Sequence, residues 1–290
     1  MNIVFITAGP IQWASSRMRA YWVAEELRKR GHTVIVAPYS ERKLAPAGDA
    51  WIWQKSVDID MVADIDCLHF WDVCDPAWWW QPEVCAEIAS GIDGVVASSG
   101  ALAMDYNEWE PAGTSMAVTI PDCLDFTHFD MRRVHEEVEP VRLIWYGIAA
   151  NRVALWGAKA MLERLVANSY RIELTIMDDR PDVRFAFSDA FPIYHTQWSL
   201  EREVEIISSH DIALLPPYPG PWGRVKSNNK RLTAVACGLP VVSDSYHVLE
   251  KLMDAKTREL YVLESLPVMQ RAHDIAVAAD KWEQLLGVRS

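Results

Sequence analysis

Residues 2–37 read NIVFITAGPIQWASSRMRAYWVAEELRKRGHTVIVA, and this stretch decides the fold class. Ile3 to Thr7 is a short apolar run followed by the Gly9-Pro10 turn, which predicts a buried strand. A polar segment, Gln12 to Arg19, leads into Tyr21, Val23, Ala24 and Leu27, whose spacing predicts an amphipathic helix. Arg28, Lys29 and Arg30 in its last turn complement the helix dipole, and Gly31 supplies a left-handed cap. Thr33 to Ala37 reads as a second strand. Strand, helix and strand within about forty residues make a βαβ unit, with parallel strands and a right-handed crossover.

Outward from this unit, short apolar runs recur at residues 50–53, 67–71, 94–98 and 116–120, enough to complete one doubly wound lobe. The segment His135 to Pro140 (HEEVEP) is charged, ends in proline and has no hydrophobic period, so it reads as a linker. The pattern then restarts with Val141 to Tyr146, closed by Gly147. A helix over 153–167, strands over 171–177 and 211–215, a helix over 199–208 and a strand over 239–243 follow. The expected architecture is α/β with two Rossmann-like doubly wound lobes, 1–137 and 138–267, facing a ligand cleft. Residues 268–290, after Pro267, read as a helix that packs on the second lobe or crosses back to the first.

The chain has 290 residues and a net charge of −12, all of it carried by residues 1–139, while residues 140–290 are neutral. So acidic a first half repels phosphate polyanions, which argues against nucleic acid as its partner. Five cysteines, with no C-x-x-C pairing, suggest neither a disulfide framework nor a zinc cluster. No apolar run reaches membrane-spanning length, and the opening has no basic segment ahead of its apolar run. A cytoplasmic setting is the expectation.

Residues 222–244 read WGRVKSNNKRLTAVACGLPVVSD. Arg224, Lys226, Lys230 and Arg231 gather at and just before the start of a helix that Gly238 ends. Cations together with free N–H groups at a helix N-terminus suit a diphosphate. Asn228, Asn229 and the small residues Thr233, Ala234, Ala236 and Gly238 leave room for a ligand to approach.

The lysine, the helix and the sequel Ala-Cys-Gly-Leu-Pro-Val-Val resemble the donor-site helix of GT-B glycosyltransferases, in particular the retaining group numbered family four. The opening ITAGP with ASSRMR (14–19) is similar to that family's first strand and glycine-bearing loop. Trp51 to Lys55, FWDVCD (70–75), DGVVASS (93–99), VTIPDCLD (118–125) and SSHDIALLP (208–216) continue the resemblance in the family's order over most of the chain. The resemblance implies a metal-independent enzyme that moves a sugar from a UDP- or GDP-linked donor to an acceptor hydroxyl. The nucleotide sugar is then a co-substrate, and no cofactor is needed. It further implies donor diphosphate contacts at Arg19, Arg224, Lys226, Asn229 and Lys230, and nucleotide contacts at Gly9, Gly147, His195, Trp198 and Thr233. Relatives carry two glutamates in the donor region, and Val225 and Thr233 occupy those positions here. Either ribose recognition differs, or the chain has drifted from catalysis toward a binding role.

Charge building on a departing phosphate calls for fixed cations, and Arg17 joins Arg19 as a candidate from the first lobe. Asp72 and Asp75 follow a first-lobe strand, where either is placed to position or deprotonate an acceptor hydroxyl, although Asp75 before Pro76 is equally a turn former. Asp178-Asp179 lacks a third ligand and reads as a solvated turn, so no metal site is expected. Trp78, Trp79 and Trp80 cannot all face inward on one element, so at least one reaches a surface or cleft where sugar rings or bases stack. The acceptor these features favour is small or neutral over nucleic acid. A phage-type DNA glycosyltransferase acting on hydroxymethylated pyrimidines, or a catalytically degenerate binding protein, is the alternative. A dinucleotide oxidoreductase is disfavoured, because TAGP replaces the G-x-G-x-x-G turn.

Overall fold

The computed structural model describes residues 1–110 and 114–288. The chain divides into two compact units. Unit 1 holds Met1–Asp125, Arg224–Ser227 and the residues from His273 on, and unit 2 holds Phe126–Gly223 and Asn228–Ala272.

Unit 1 is built on a six-stranded parallel sheet: β1 (Asn2–Thr7), β2 (Thr33–Pro38), β3 (Ala50–Gln54), β4 (Leu68–Val73), β5 (Gly94–Ala97) and β6 (Val118–Thr119), in the order β2-β1-β3-β4-β5-β6. The order reverses between β1 and β3, a topological switch point whose carboxyl-end crevice is the usual ligand seat in such sheets. Ile3, Phe5, Ile52, Phe70 and Val95 are buried, as residues of a sheet covered on both faces must be. The helix after β1 is interrupted. A π-helical turn, Arg17–Tyr21, joins Ala14–Ser16 to Trp22–Lys29, and it buries Arg17, Met18, Arg19 and Ala20. The last helix, Ile275–Leu285, packs on this sheet through Trp282, whose ring lies edge-on to Phe5 and Phe70 at 6.0 and 6.1 Å.

Unit 2 is a five-stranded parallel sheet: β7 (Val141–Tyr146), β8 (Ile172–Asp178), β9 (Ile193–Gln197), β10 (Ile212–Leu214) and β11 (Val241–Val242), in the order β11-β10-β7-β8-β9. Its switch point falls between β7 and β10. Leu143, Trp145, Leu162, Leu174, Ile176 and Leu214 lie in its core.

Several expectations need correction. HEEVEP is not a free linker, because Arg258 donates to the Glu136 carbonyl, Glu137 accepts from the Ala255 N–H, and His135 Nε2 lies 2.9 Å from the Gly238 carbonyl. These bonds fasten it to unit 2, and the first boundary falls earlier, at Asp125. Pro267 does not start the last helix but sits inside Ala255–His273. The carbonyl left without its helical partner belongs to Leu263, an exposed residue. The break comes instead at Asp274, whose side chain accepts from the Ala276 N–H as an N-cap. The helix expected over 153–167 opens as a 3-10 turn, Ala149–Ala158, before Lys159–Ala167 becomes α-helical. Ile193–Gln197 (IYHTQ) forms strand β9, in the stretch between 177 and 199 to which the sequence reading assigned no element.

Candidate functional site

In unit 1 the candidate residues gather where β3 and β4 end. Arg19 is 3% exposed, and its Nε lies 2.9 and 2.8 Å from the two Asp72 carboxylate oxygens. Its Nη1 donates to the Ile120 carbonyl at 2.9 Å and to Asp122 at 3.0 Å, and its Nη2 donates to Asp72. Burial alone would lower the Arg19 pKa, but Asp72 and Asp122 overcome it and raise it, so the cation is permanent. Asp72 is 1% exposed and spends both oxygens on this guanidinium. Two expectations therefore fall. Arg19 is not placed to bind a diphosphate, and Asp72 is not placed to take a proton from an acceptor. Arg17 is also buried; its Nη1 donates to the carbonyls of Ile11 and Gln12, and its guanidinium lies 5.4 Å from the Trp22 ring centre. It fastens the loop after β1, which is not the phosphate-facing or catalytic place expected of it. Gly9 belongs to the same loop. A Cβ there would fall 2.4 Å from the Trp13 ring, so the glycine lets that ring close over the turn.

Asp75 has a different setting. One carboxylate oxygen accepts from Lys55 Nζ at 3.0 Å and the other from Lys226 Nζ. Burial alone would raise its pKa, yet the two ammonium groups lower it. Lys55 adopts a left-handed backbone conformation, φ 65°, uncommon for a residue with a side chain. Its N–H donates to the Asp72 carbonyl and its carbonyl accepts from the Trp71 indole, which hold it there. Segment Arg224–Ser227 is tied to unit 1 by three bonds. Ser99 donates to the Val225 carbonyl, Lys226 to Asp75, and Ser227 to Asp122. Arg224 is exposed. Of the four cations expected to act together, Arg224 and Lys226 therefore belong to unit 1, whereas Lys230 and Arg231 belong to unit 2.

In unit 2 the switch point carries Gly147 at the end of β7 and Lys230 in the first turn of helix Asn229–Ala236. The Lys230 ammonium lies over Gly147 so closely that a Cβ there would come within 2.6 Å of Nζ. Nζ is also 5.0 Å from the Trp145 ring centre, a cation–π distance. Tyr146, its hydroxyl buried, donates to the Lys230 carbonyl and fixes the start of the helix. Asn228, the N-cap, makes no side-chain cap bond. Asn229 opens the helix, half-buried, whereas Thr233 is buried at 5% exposure and offers a nucleotide little surface. Gly238 ends the segment with φ 82°, and a Cβ there would meet the Arg133 backbone nitrogen at 2.8 Å.

His195 and Trp198 lie on and just after β9. His195 Nε2 accepts from the Phe185 N–H at 3.2 Å, and burial, helped by Arg152, lowers its pKa, which keeps the ring neutral. Its Nδ1 is buried and has no partner among the described residues. The Trp198 indole donates to Glu203 at 2.9 Å. Beyond the ends of β7 and β8 lies a cavity of about 390 Å³, lined among others by Arg152, Trp156, Arg180, Arg184 and Phe185. Arg152 is bound to Asp178, whereas Arg180 and Arg184 are exposed. Sequence reasoning missed Asp122, Ser227 and this cavity. Asp122, which follows β6 and the buried Ile120, carried a readable signal. Among the described residues no group of three or more His, Cys, Asp or Glu is placed to share a metal ion, and no helix is long and apolar enough to cross a membrane.

No protein-family description and no curated protein matches this sequence. Solved structures do match. An alpha-glucosyltransferase in complex with UDP and a 13-mer DNA containing a HMU base superposes with a TM-score of 0.72 at 11% identity, over 99% of both chains. A glycosyltransferase from Rickettsia africae ESF-5 gives 0.65 at 8% identity, over 98% of this chain and 97% of the other. TarM gives 0.61 at 11% identity, over 86% of this chain and 57% of its own. The fold is that of the GT-B glycosyltransferases.

Proposed function

We propose that this chain transfers a sugar from a UDP-sugar to an acceptor hydroxyl, with retention at the anomeric carbon and without a metal ion. The observation that carries this reading is Lys230. Its ammonium sits at the unit 2 switch point, over Gly147 and Trp145, in the first turn of a helix whose N-cap side chain makes no cap bond. A fixed cation and helix N–H groups there stabilise the negative charge that develops on a leaving diphosphate. The bond from the anomeric carbon to the phosphate oxygen breaks, a bond to the acceptor oxygen forms, and the acceptor proton leaves on the diphosphate. The cavity beside Trp156 and Phe185 suits the nucleobase, since aromatic faces stack on it. The fold's likeness to transferases solved with UDP supports the same donor.

The test is calorimetric titration with UDP, followed by turnover of UDP-glucose in the presence of EDTA. UDP binding that Lys230→Ala weakens, and turnover that survives the chelator, are the expected results. Unaltered UDP affinity in the variant would remove the donor site, and turnover that only magnesium or manganese restores would refute metal independence.

A second acceptor reading comes from the neighbours solved with DNA, one containing a HMU base and one an abasic site. On that reading the hydroxyl belongs to a hydroxymethylated pyrimidine. Transfer to hydroxymethylated duplex DNA that falls steeply with salt would establish it against small neutral acceptors.

A further inference from the structure

Trp78, Trp79 and Trp80 follow Asp75 at the end of β4, and the donor chemistry does not use them. Trp78 is buried, stacked on Trp109 at 5.8 Å and 19° and set edge-on to Tyr106 at 5.2 Å. Its two neighbours face outward, Trp79 39% and Trp80 55% exposed. The half-buried Asp105 accepts from the indole N–H of Trp78 and from that of Trp79, each at 2.8 Å and both on the same carboxylate oxygen. The exposed indole is thereby tied to the buried one through one charged acceptor. The backbone beneath them is equally held. Ala77–Trp79 is a 3-10 turn closed by the Trp79 N–H to Pro76 and the Trp80 N–H to Ala77, and Pro82 then starts the next helix. An exposed aromatic side chain ordinarily keeps its rotamer freedom and must lose it when a ligand stacks. For Trp79 that loss occurs in folding, which is how a preorganised platform gains affinity.

We infer that Trp79 and Trp80, with Asp105 holding the first of them, form a stacking platform for an uncharged saccharide ring, the acceptor of the transfer proposed above, on which this inference rests. Charge selects the occupant. Between Lys55 and Arg132 the sequence contains no lysine or arginine, and besides Asp75, which Lys55 and Lys226 hold, Glu83, Glu87, Asp105, Glu108 and Glu110 flank the tryptophans along the chain. A phosphorylated ligand would need cations that this stretch lacks. A pyranose offers an apolar C–H face to the indole and hydroxyls to the carboxylates, and it is the hydroxyl-bearing ring that a sugar transferase acts on.

The experiment is saturation-transfer NMR on the full chain with maltose and with methyl glucoside, alongside calorimetry with UDP. Saturation concentrated on the protons of one ring face is expected for wild type, reduced about fivefold or more in Trp79→Ala and in Trp80→Ala, since one stacked ring contributes on this scale. UDP affinity stays at the wild-type value in both. Trp79→Phe and Asp105→Asn keep a ring but lose the charged tie, and intermediate saturation is expected. The inference is overturned by wild-type saturation that the tryptophan variants leave unchanged, by no saturation in wild type, or by preferential binding at these tryptophans of a quaternary ammonium ion or of duplex DNA. A wild-type chain that turns over UDP-glucose but binds neither saccharide refutes the platform alone. Saccharide binding in a chain that binds no UDP refutes the donor reading and leaves the platform standing.

Discussion

Substituting Gly147 by alanine adds one methyl group directly under the Lys230 ammonium. Glycine here is not demanded by the backbone, because φ at 147 is not positive. The added Cβ would stand 2.6 Å from Lys230 Nζ, 3.2 Å from its Cε and 3.3 Å from the Trp145 ring. Ordinary contact begins near 3.4 Å, so the ammonium must move by about an ångström. The far end of a lysine swings away easily, and the stability loss should stay at about 0.5 kcal/mol. A charge-assisted hydrogen bond to a phosphate does not survive that displacement, and its loss is worth about 1.5 to 3 kcal/mol, or roughly ten- to a hundredfold in UDP affinity. Lys230→Ala removes the same bond, so the two substitutions should not add. The double variant should bind UDP no more weakly than Lys230→Ala alone, which is the signature of one shared interaction. Calorimetry on wild type, both single variants and the double variant measures the cycle, and a thermal melt checks the fold. Unchanged UDP affinity in Gly147→Ala, or two fully additive losses, would refute the placement of Lys230 against the diphosphate.

Other expectations concern the supports of the site. Arg19→Met should destabilise unit 1 by about 3 kcal/mol or more in chemical denaturation, because it leaves Asp72 and Asp122 buried without their cation. Gly238→Ala should cost about 2 kcal/mol or more, since it forces a side chain into a left-handed conformation against the Arg133 backbone. Asp75, whose folded pKa is lowered, contributes stability that is present above the ordinary carboxylate range and lost as pH falls through the folded value. Asp75→Asn should therefore be destabilising by roughly 1 kcal/mol at pH 7, with the gap closing in melts taken from about pH 5 down to about pH 3.

The elements most legible in the sequence are β1 and β7, largely apolar strands buried over most of their length, and β8, whose buried Ile172, Leu174 and Ile176 alternate with half-buried Glu173 and Thr175. β9 escaped because it pairs only with β8 and leaves Tyr194 and Gln197 exposed, so IYHTQ shows neither an apolar run nor clean alternation. Pro267 misled for a related reason. It sits on an exposed face of Ala255–His273, and the helix continues through it. The HEEVEP segment looked like a linker because its anchors are backbone groups and distant side chains, Arg258 above all, and composition does not record these.

At the candidate site the residue types were readable but the pairings were not, and the pairings decide what each charge does. Arg19 and Lys230 looked alike as phosphate cations. The register that sets β4 beside β3 and β5 brings Asp72 up against a π-helical turn 53 residues earlier in the chain, and no local pattern reports that contact. A guanidinium whose fork grips a carboxylate at 2.8 and 2.9 Å, 3% exposed, is a structural cation: removing Asp72 to release it would leave a buried charge unpaired. The Lys230 ammonium, by contrast, is half-buried over an aromatic ring at the carboxyl ends of parallel strands, the general place for ligands in such sheets. Asp72 and Asp75 divide by the same test. Three residues apart in sequence, one is enclosed by arginine, while the other is shared by two lysines at partial exposure. Of the two, Asp75 is therefore the carboxylate that keeps partial exposure.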